Sequence, residues 1–148
     1  MIDIRITTDV EELMKWRAEV IRNVFNVEPF RTLLEENEKY YNTHLPDGSH
    51  LAIVASSDGK EAGVGSICLS EELPSPDNPA GKCAYLMNIY VREKFRNRGI
   101  ATMIIEHLVN LAKSHGCGKI YLESTEMAKP LYHECGFAEM KNMMKHEN

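Results

Sequence analysis

Between Arg96 and Thr102 the chain reads Arg-Asn-Arg-Gly-Ile-Ala-Thr, two cations just ahead of a glycine where a strand-like apolar run gives way to a helical repeat. That grouping suits an anion. The first N–H groups of a helix lack internal partners, carry partial positive charge, and can seat a phosphate or pyrophosphate. A side chain on Gly99 would stand between the phosphate oxygens and the amides. Arg96 and Arg98 add charge at the same spot. The same residue types also make an ordinary solvated basic turn, so local chemistry leaves both readings open.

Two elements must position this turn. Tyr85 to Val91 is apolar, aromatic and β-branched, without Gly or Pro, and reads as a buried strand. After the turn, Ile100, Met103, Ile104, His107, Leu108 and Leu111 recur at helical spacing. That helix should stop near Gly116 and Gly118. Lys119 to Glu123 reads as the next strand, and strand–helix–strand order implies a parallel pair with a right-handed crossover.

Upstream, alternating Ile2, Ile4 and Ile6 predict a short strand. Thr8 and Asp9 offer caps for a helix with Leu13, Trp16, Val20, Ile21, Val24 and Phe25 on its buried face. Pro29 interrupts it, and a second, more polar helix is expected from Phe30 to Tyr41. Pro46-Asp47-Gly48 and Ser56 to Lys60 are turn signals around a strand at Leu51–Ala55, with another at Gly63–Leu69. Glu71 to Gly81, with three prolines, reads as a long loop. Downstream, a short helix is expected at Ala128–Glu134 and a last strand at Phe137–Met143. The whole, residues 1–148, reads as a single α+β domain with a mixed, mostly antiparallel sheet flanked by helices.

Composition narrows the function classes. With 43% hydrophobic and 26% charged residues in 148, the chain has the balance of a globular protein. A net charge of -5 argues against nucleic acid and leaves room for a cationic substrate such as an amine. No run is long and apolar enough for a membrane span, and the first residues lack the pattern of a signal peptide. Cys68, Cys83, Cys117 and Cys135 show no zinc-type spacing and read as reduced thiols in a cytoplasmic protein.

Arg96-Asn97-Arg98-Gly99-Ile100-Ala101 resembles the Arg/Gln-x-x-Gly-x-Gly/Ala signature of the GNAT N-acetyltransferase superfamily, placed as in that family between the fourth strand and third helix. Met127 to Phe137, with Leu131-Tyr132 ahead of Cys135-Gly136-Phe137, resembles its second motif. The order of elements agrees along nearly the whole chain.

The resemblance implies acetyl-CoA as cofactor, a small-molecule or peptide amine as acceptor, and a fourth and fifth strand that splay apart. It implies that backbone groups of Ile89, Tyr90 and Val91 pair with pantetheine. The amides of Arg96, Asn97, Arg98, Gly99, Ile100, Ala101 and Thr102 would hold the pyrophosphate, and Tyr132 would stand near the sulfur. Thr125 occupies a position where many members carry an Asn that contacts CoA. The acceptor is expected between the Val27–Arg31 turn and the Glu71–Gly81 loop. Glu123, Glu28, Glu71, Glu72 and His50 are candidate bases by polarity, each reading more naturally as a surface residue, and none is assigned. The resemblance also leaves room for a homodimer. A non-catalytic acyl-CoA-binding module is the alternative, which the phenol of Tyr132 argues against, because a pure binder needs no acid beside the sulfur.

Overall fold

The computed structural model describes all 148 residues. Apolar runs in this chain become five strands: β1 (Ile2–Thr7), β2 (His50–Ser57), β3 (Lys60–Glu71), β4 (Lys82–Val91) and β5 (Lys119–Leu122). Helical repeats become α1 (Val10–Val24), α2 (Arg31–His44), α3 (Ile100–Ser114) and α4 (Lys129–Glu134). The strands form one sheet in sequence order, antiparallel throughout except for the parallel pair β4–β5. The α+β class and the mixed, mostly antiparallel sheet follow the sequence reading.

Alternation along the strands sends side chains to two faces. On one, Ile53, Ile67 and Leu86 pack against Ile100, Ile104, Ile105 and Leu108 of α3, with Leu131 and Tyr132 of α4 beside them. On the other, Trp16 and Val20 of α1 meet Val54, Val64 and Tyr90, while Leu13 meets Tyr41 of α2 and Ala52. Trp16 is a core residue, as expected. The α3 helix lies close on the sheet because Gly65 has no side chain: a Cβ there would come within 2.5 Å of the Ile104 Cγ2. At the α1 start, Asp9 is the cap, its Oδ1 accepting from the Glu12 N–H at 3.2 Å.

Three sequence expectations are corrected. Phe137–Met143 forms no strand. The His133 ring bonds the Phe137 carbonyl at 3.0 Å and the Glu139 carboxylate at 3.1 Å, which turns the segment back over α4, and Asn142 is left-handed at φ 69. Val24 and Phe25 are exposed rather than buried. The helix ends there, and the Phe25 ring lies under the Arg17 guanidinium, 5.5 Å from its centroid.

The Glu71–Gly81 loop does not flank the splayed end of β4. It is folded onto the other end, through a Ser75–Asn78 bridge, a Glu72–Lys119 ion pair at 3.1 Å and the buried Asn78. A strand running from Lys82 to Val91 puts about 30 Å between that loop and the turn before α3.

Candidate active site

The β4–β5 pairing runs only from Cys83↔Lys119 to Leu86↔Leu122. Beyond Leu86 the fifth strand has ended, so Met87 to Val91 has no neighbour on that side. A bulge against β3 falls in the same stretch, leaving Asn88 and Ile89 without registered partners and Asn88 left-handed at φ 59. The strand thus presents open backbone groups beside a gap, because bulges interrupt pairing and re-aim a strand. Ile89, Tyr90 and Val91 all lie on this open stretch. Asn88 was missed by the sequence reasoning, although it is the one amide side chain inside an otherwise apolar run.

Immediately downstream the chain passes through a short 3-10 turn (Glu93–Phe95) into α3. None of the backbone N–H groups from Asn97 through Thr102 donates to a backbone carbonyl, and the first hydrogen bond of the helix is Met103 N–H to Gly99 carbonyl at 3.1 Å. Gly99 caps the helix with φ 77 and no side-chain bond, and no acidic residue occupies the first turn. A Cβ on Gly99 would meet nothing within 4 Å. Six consecutive unpaired amides therefore lie at a helix N-terminus, with open space beside Gly99, where the helix dipole favours negative charge.

The two arginines do less than the amides. The Arg96 N–H is already given to the Glu93 carbonyl at 3.1 Å, and its side-chain Nε donates to the Val91 carbonyl at 3.0 Å. Arg98 lies over the Phe95 ring, 5.6 Å from the centroid, near Lys60 and Lys94. Arg96 thus braces the turn against the end of β4.

Tyr132 is held by α4, where Pro130 sits in the first turn. Its ring packs edge-on against Phe137, centroids 5.9 Å apart. Burial pushes the phenol pKa up, with a smaller push from Cys135. A phenol so perturbed stays protonated at neutral pH and keeps its O–H available to donate to a neighbouring atom that gains negative charge. With Tyr85, Tyr121 and Glu123 it lines a cavity of about 440 Å³ at the free edge of β5. Thr125 is spent locally, its Oγ1 accepting from the Ala128 N–H at 3.3 Å to shape the entry into α4.

Of the five polar residues considered as bases, only Glu123 reaches the cavity that holds Tyr132. Glu28 is paired with Arg22 and Glu72 with Lys119, while Glu71 is exposed. His50 is buried, at 4% exposure, contrary to its surface reading. All four cysteines are free, and burial pushes their pKa values up, so none is a ready thiolate.

A parallel strand pair that parts at one end, with an amide-rich helix start beside the parting, suits an extended phosphate-bearing cosubstrate. Residues 10–137 match the model of the Acetyltransferase (GNAT) family, and the chain belongs to that family. It is an acetyl-CoA-dependent N-acetyltransferase.

Among curated relatives, the chain is 26% identical over 111 residues to the glucosamine 6-phosphate N-acetyltransferase of Arabidopsis thaliana, covering 75% of this chain and 70% of that one. It is 34% identical over 59 residues to a probable glucosamine 6-phosphate N-acetyltransferase 2 of Oryza sativa subsp. japonica, covering 40% of this chain and 36% of that one. In structure it resembles a predicted acetyltransferase of Clostridium acetobutylicum solved with acetyl-CoA, at TM-score 0.87 and 23% identity over 99% of this chain and 96% of that one. The Arabidopsis glucosamine-6-phosphate N-acetyltransferase structure follows at TM-score 0.77 and 21% identity, with 99% and 98% covered. No helix is long and apolar enough to cross a membrane.

Proposed function

We propose that residues 1–148 act as one catalytic domain in which the N–H groups of Asn97, Arg98, Gly99, Ile100, Ala101 and Thr102 hold the pyrophosphate of acetyl-CoA. The observation that carries this reading is the run of six unpaired amides opening onto empty space beside the free edge of β4. Those donors fit a diphosphate, which offers several acceptor oxygens and negative charge at a place with no competing carboxylate in the first helical turn. The backbone of Ile89, Tyr90 and Val91 pairs with the pantetheine arm along the open stretch of β4, and the Thr125 turn lies at its far side.

Acetyl-CoA supplies a thioester carbonyl, activated by its sulfur leaving group. This chain's own residues then have three tasks. The N–H groups near Tyr90 orient that carbonyl and offset negative charge on its oxygen. The Tyr132 phenol, kept protonated by burial, donates a hydrogen bond to the departing sulfur and offsets the negative charge that gathers there, while the proton shed by the attacking nitrogen leaves to solvent. The gap beside β4 admits an unprotonated primary amine, and since an alkylammonium has a pKa near ~10, a proton must leave before attack. The acceptor is an amine small enough to reach the gap, and the aminosugar acceptors named for the relatives make amino sugars part of the first panel to try. The free thiols suit a reducing, cytoplasmic setting.

The test is turnover of acetyl-CoA with a panel of amines, read as released thiol, for the wild type and Tyr132→Phe. The account expects kcat to fall about a hundredfold in the variant, with the affinity for CoA little changed. Equal turnover by the two proteins removes Tyr132 from the chemistry.

A further inference from the structure

On the α1–α2 face of the sheet, a second cavity of about 180 Å³ is lined by residues from five elements, among them Arg17, Asn37, His50 and Asn88. That is room for a small polar group. Its polar groups are built, not incidental. Arg17 Nε donates to the Asn37 Oδ1 at 3.1 Å, and its Nη1 donates to the Asn88 Oδ1 at 2.8 Å. Arg5, Arg22 and Arg92 pair with Glu12, Glu28 and Glu19. Arg17 is half-buried and has no carboxylate within 4 Å. Two neutral amide oxygens aim the guanidinium and leave its charge unneutralised.

The far wall does not supply the missing negative charge. His50 shares its Nδ1 with the Tyr40 hydroxyl at 2.8 Å, and its Nε2 is buried without any partner. Burial, with lesser contributions from His44 and Arg17, holds the ring neutral. Tyr40 and Cys68 are likewise pushed up by burial and stay protonated. The cavity thus carries one net positive charge in a wall of neutral groups, inside a chain whose net charge is -5. Met87 and Asn88 belong both to this wall and to the open stretch of β4. The cavity therefore borders the gap between β4 and β5.

We propose that this cavity is the acceptor subsite, and that Arg17 selects a primary amine bearing an anionic group, a carboxylate or a phosphate, a few bonds from the nitrogen. The inference rests on the acetyl-transfer reading of the same gap. A guanidinium presents a planar fork of donors that matches either anion. Asn37 and Asn88 fix its plane, and the bulge that makes Asn88 left-handed delivers that side chain to Arg17. The anion seats on Arg17 while the amine points through the gap toward the thioester.

Two matched pairs of compounds test this, each differing by the anion: glucosamine 6-phosphate against glucosamine, and serine against ethanolamine. Released thiol gives kcat/KM for each, and calorimetry on CoA-loaded protein gives affinity independently of turnover. The proposal expects the charged member of at least one pair to be preferred about ten- to a hundredfold, the worth of one lost bond to a charged group, with the two pairs separating phosphate from carboxylate. In Arg17→Gln the preference should collapse toward one, and in Arg17→Lys it should survive in part, because the charge remains and the fork is lost. A wild type that treats both members of both pairs alike overturns the proposal, whether or not the variants fold. So does an Arg17→Gln protein that folds and keeps the wild-type preference. Absence of turnover alongside selective binding of the charged members would instead count against the catalytic reading and support the subsite.

Discussion

Gly99→Val separates two roles that one glycine plays. Its backbone is left-handed at φ 77, and a Cβ there would meet nothing within 4 Å. Gly48, in the turn between α2 and β2, has the same φ 77 and the same open surroundings. Any non-glycine residue in this conformation costs about 1–2 kcal/mol. Both Gly48→Val and Gly99→Val should therefore lose similar stability, about 2–8 °C in Tm for a chain of this size. Only Gly99→Val places its side chain within the run of six unpaired amides. Losing one hydrogen bond to a charged phosphate costs about 1.5–3 kcal/mol, so CoA affinity should fall roughly ten- to a hundredfold. Thermal unfolding reads the first effect and calorimetry with CoA the second. If both variants lose stability but Gly99→Val binds CoA as tightly as Gly48→Val, the diphosphate does not sit on these amides.

Two further outcomes follow from the packing. His50, with a pKa pulled down to about 4 from 6.5, must be neutral in the folded chain. Its unfolded form binds a proton first, so stability is complete above about pH 6.5 and falls as pH drops toward 4, by about 3 kcal/mol. Urea unfolding across that window should show a shallower slope in His50→Gln, and parallel curves would refute the assignment. Gly65→Ala should cost about 1–3 kcal/mol by overpacking, since its Cβ would press on Ile104 at 2.5 Å and Leu108 at 3.0 Å. An unchanged Tm would mean that α3 can lift from the sheet at no cost.

Much of this architecture was legible because it rests on local signals. The run from Tyr85 to Thr102 changes period where strand becomes helix, and Gly99 marks the turn. The parallel β4–β5 pair followed from strand–helix–strand order alone. What stayed hidden was assembled from a distance. Arg17, Asn37, His50 and Asn88 each look like solvated polar residues in their own segments, and only the antiparallel order β2–β3–β4 beneath α1 and α2 gathers them. The Phe137–Met143 misreading has a similar origin: its apolar residues suit a strand, but His133 captures the segment through bonds that no periodicity reveals. The Glu71–Gly81 loop was placed by its length and prolines, whereas the Asn78 and Lys119 contacts that anchor it are tertiary.

The most direct measurement is a crystal structure of this protein with CoA bound. The account predicts diphosphate oxygens within hydrogen-bond distance of the amides between Asn97 and Thr102, pantetheine alongside Ile89 to Val91, and the sulfur near the Tyr132 hydroxyl. A diphosphate seated elsewhere, with those amides facing only solvent, would contradict it.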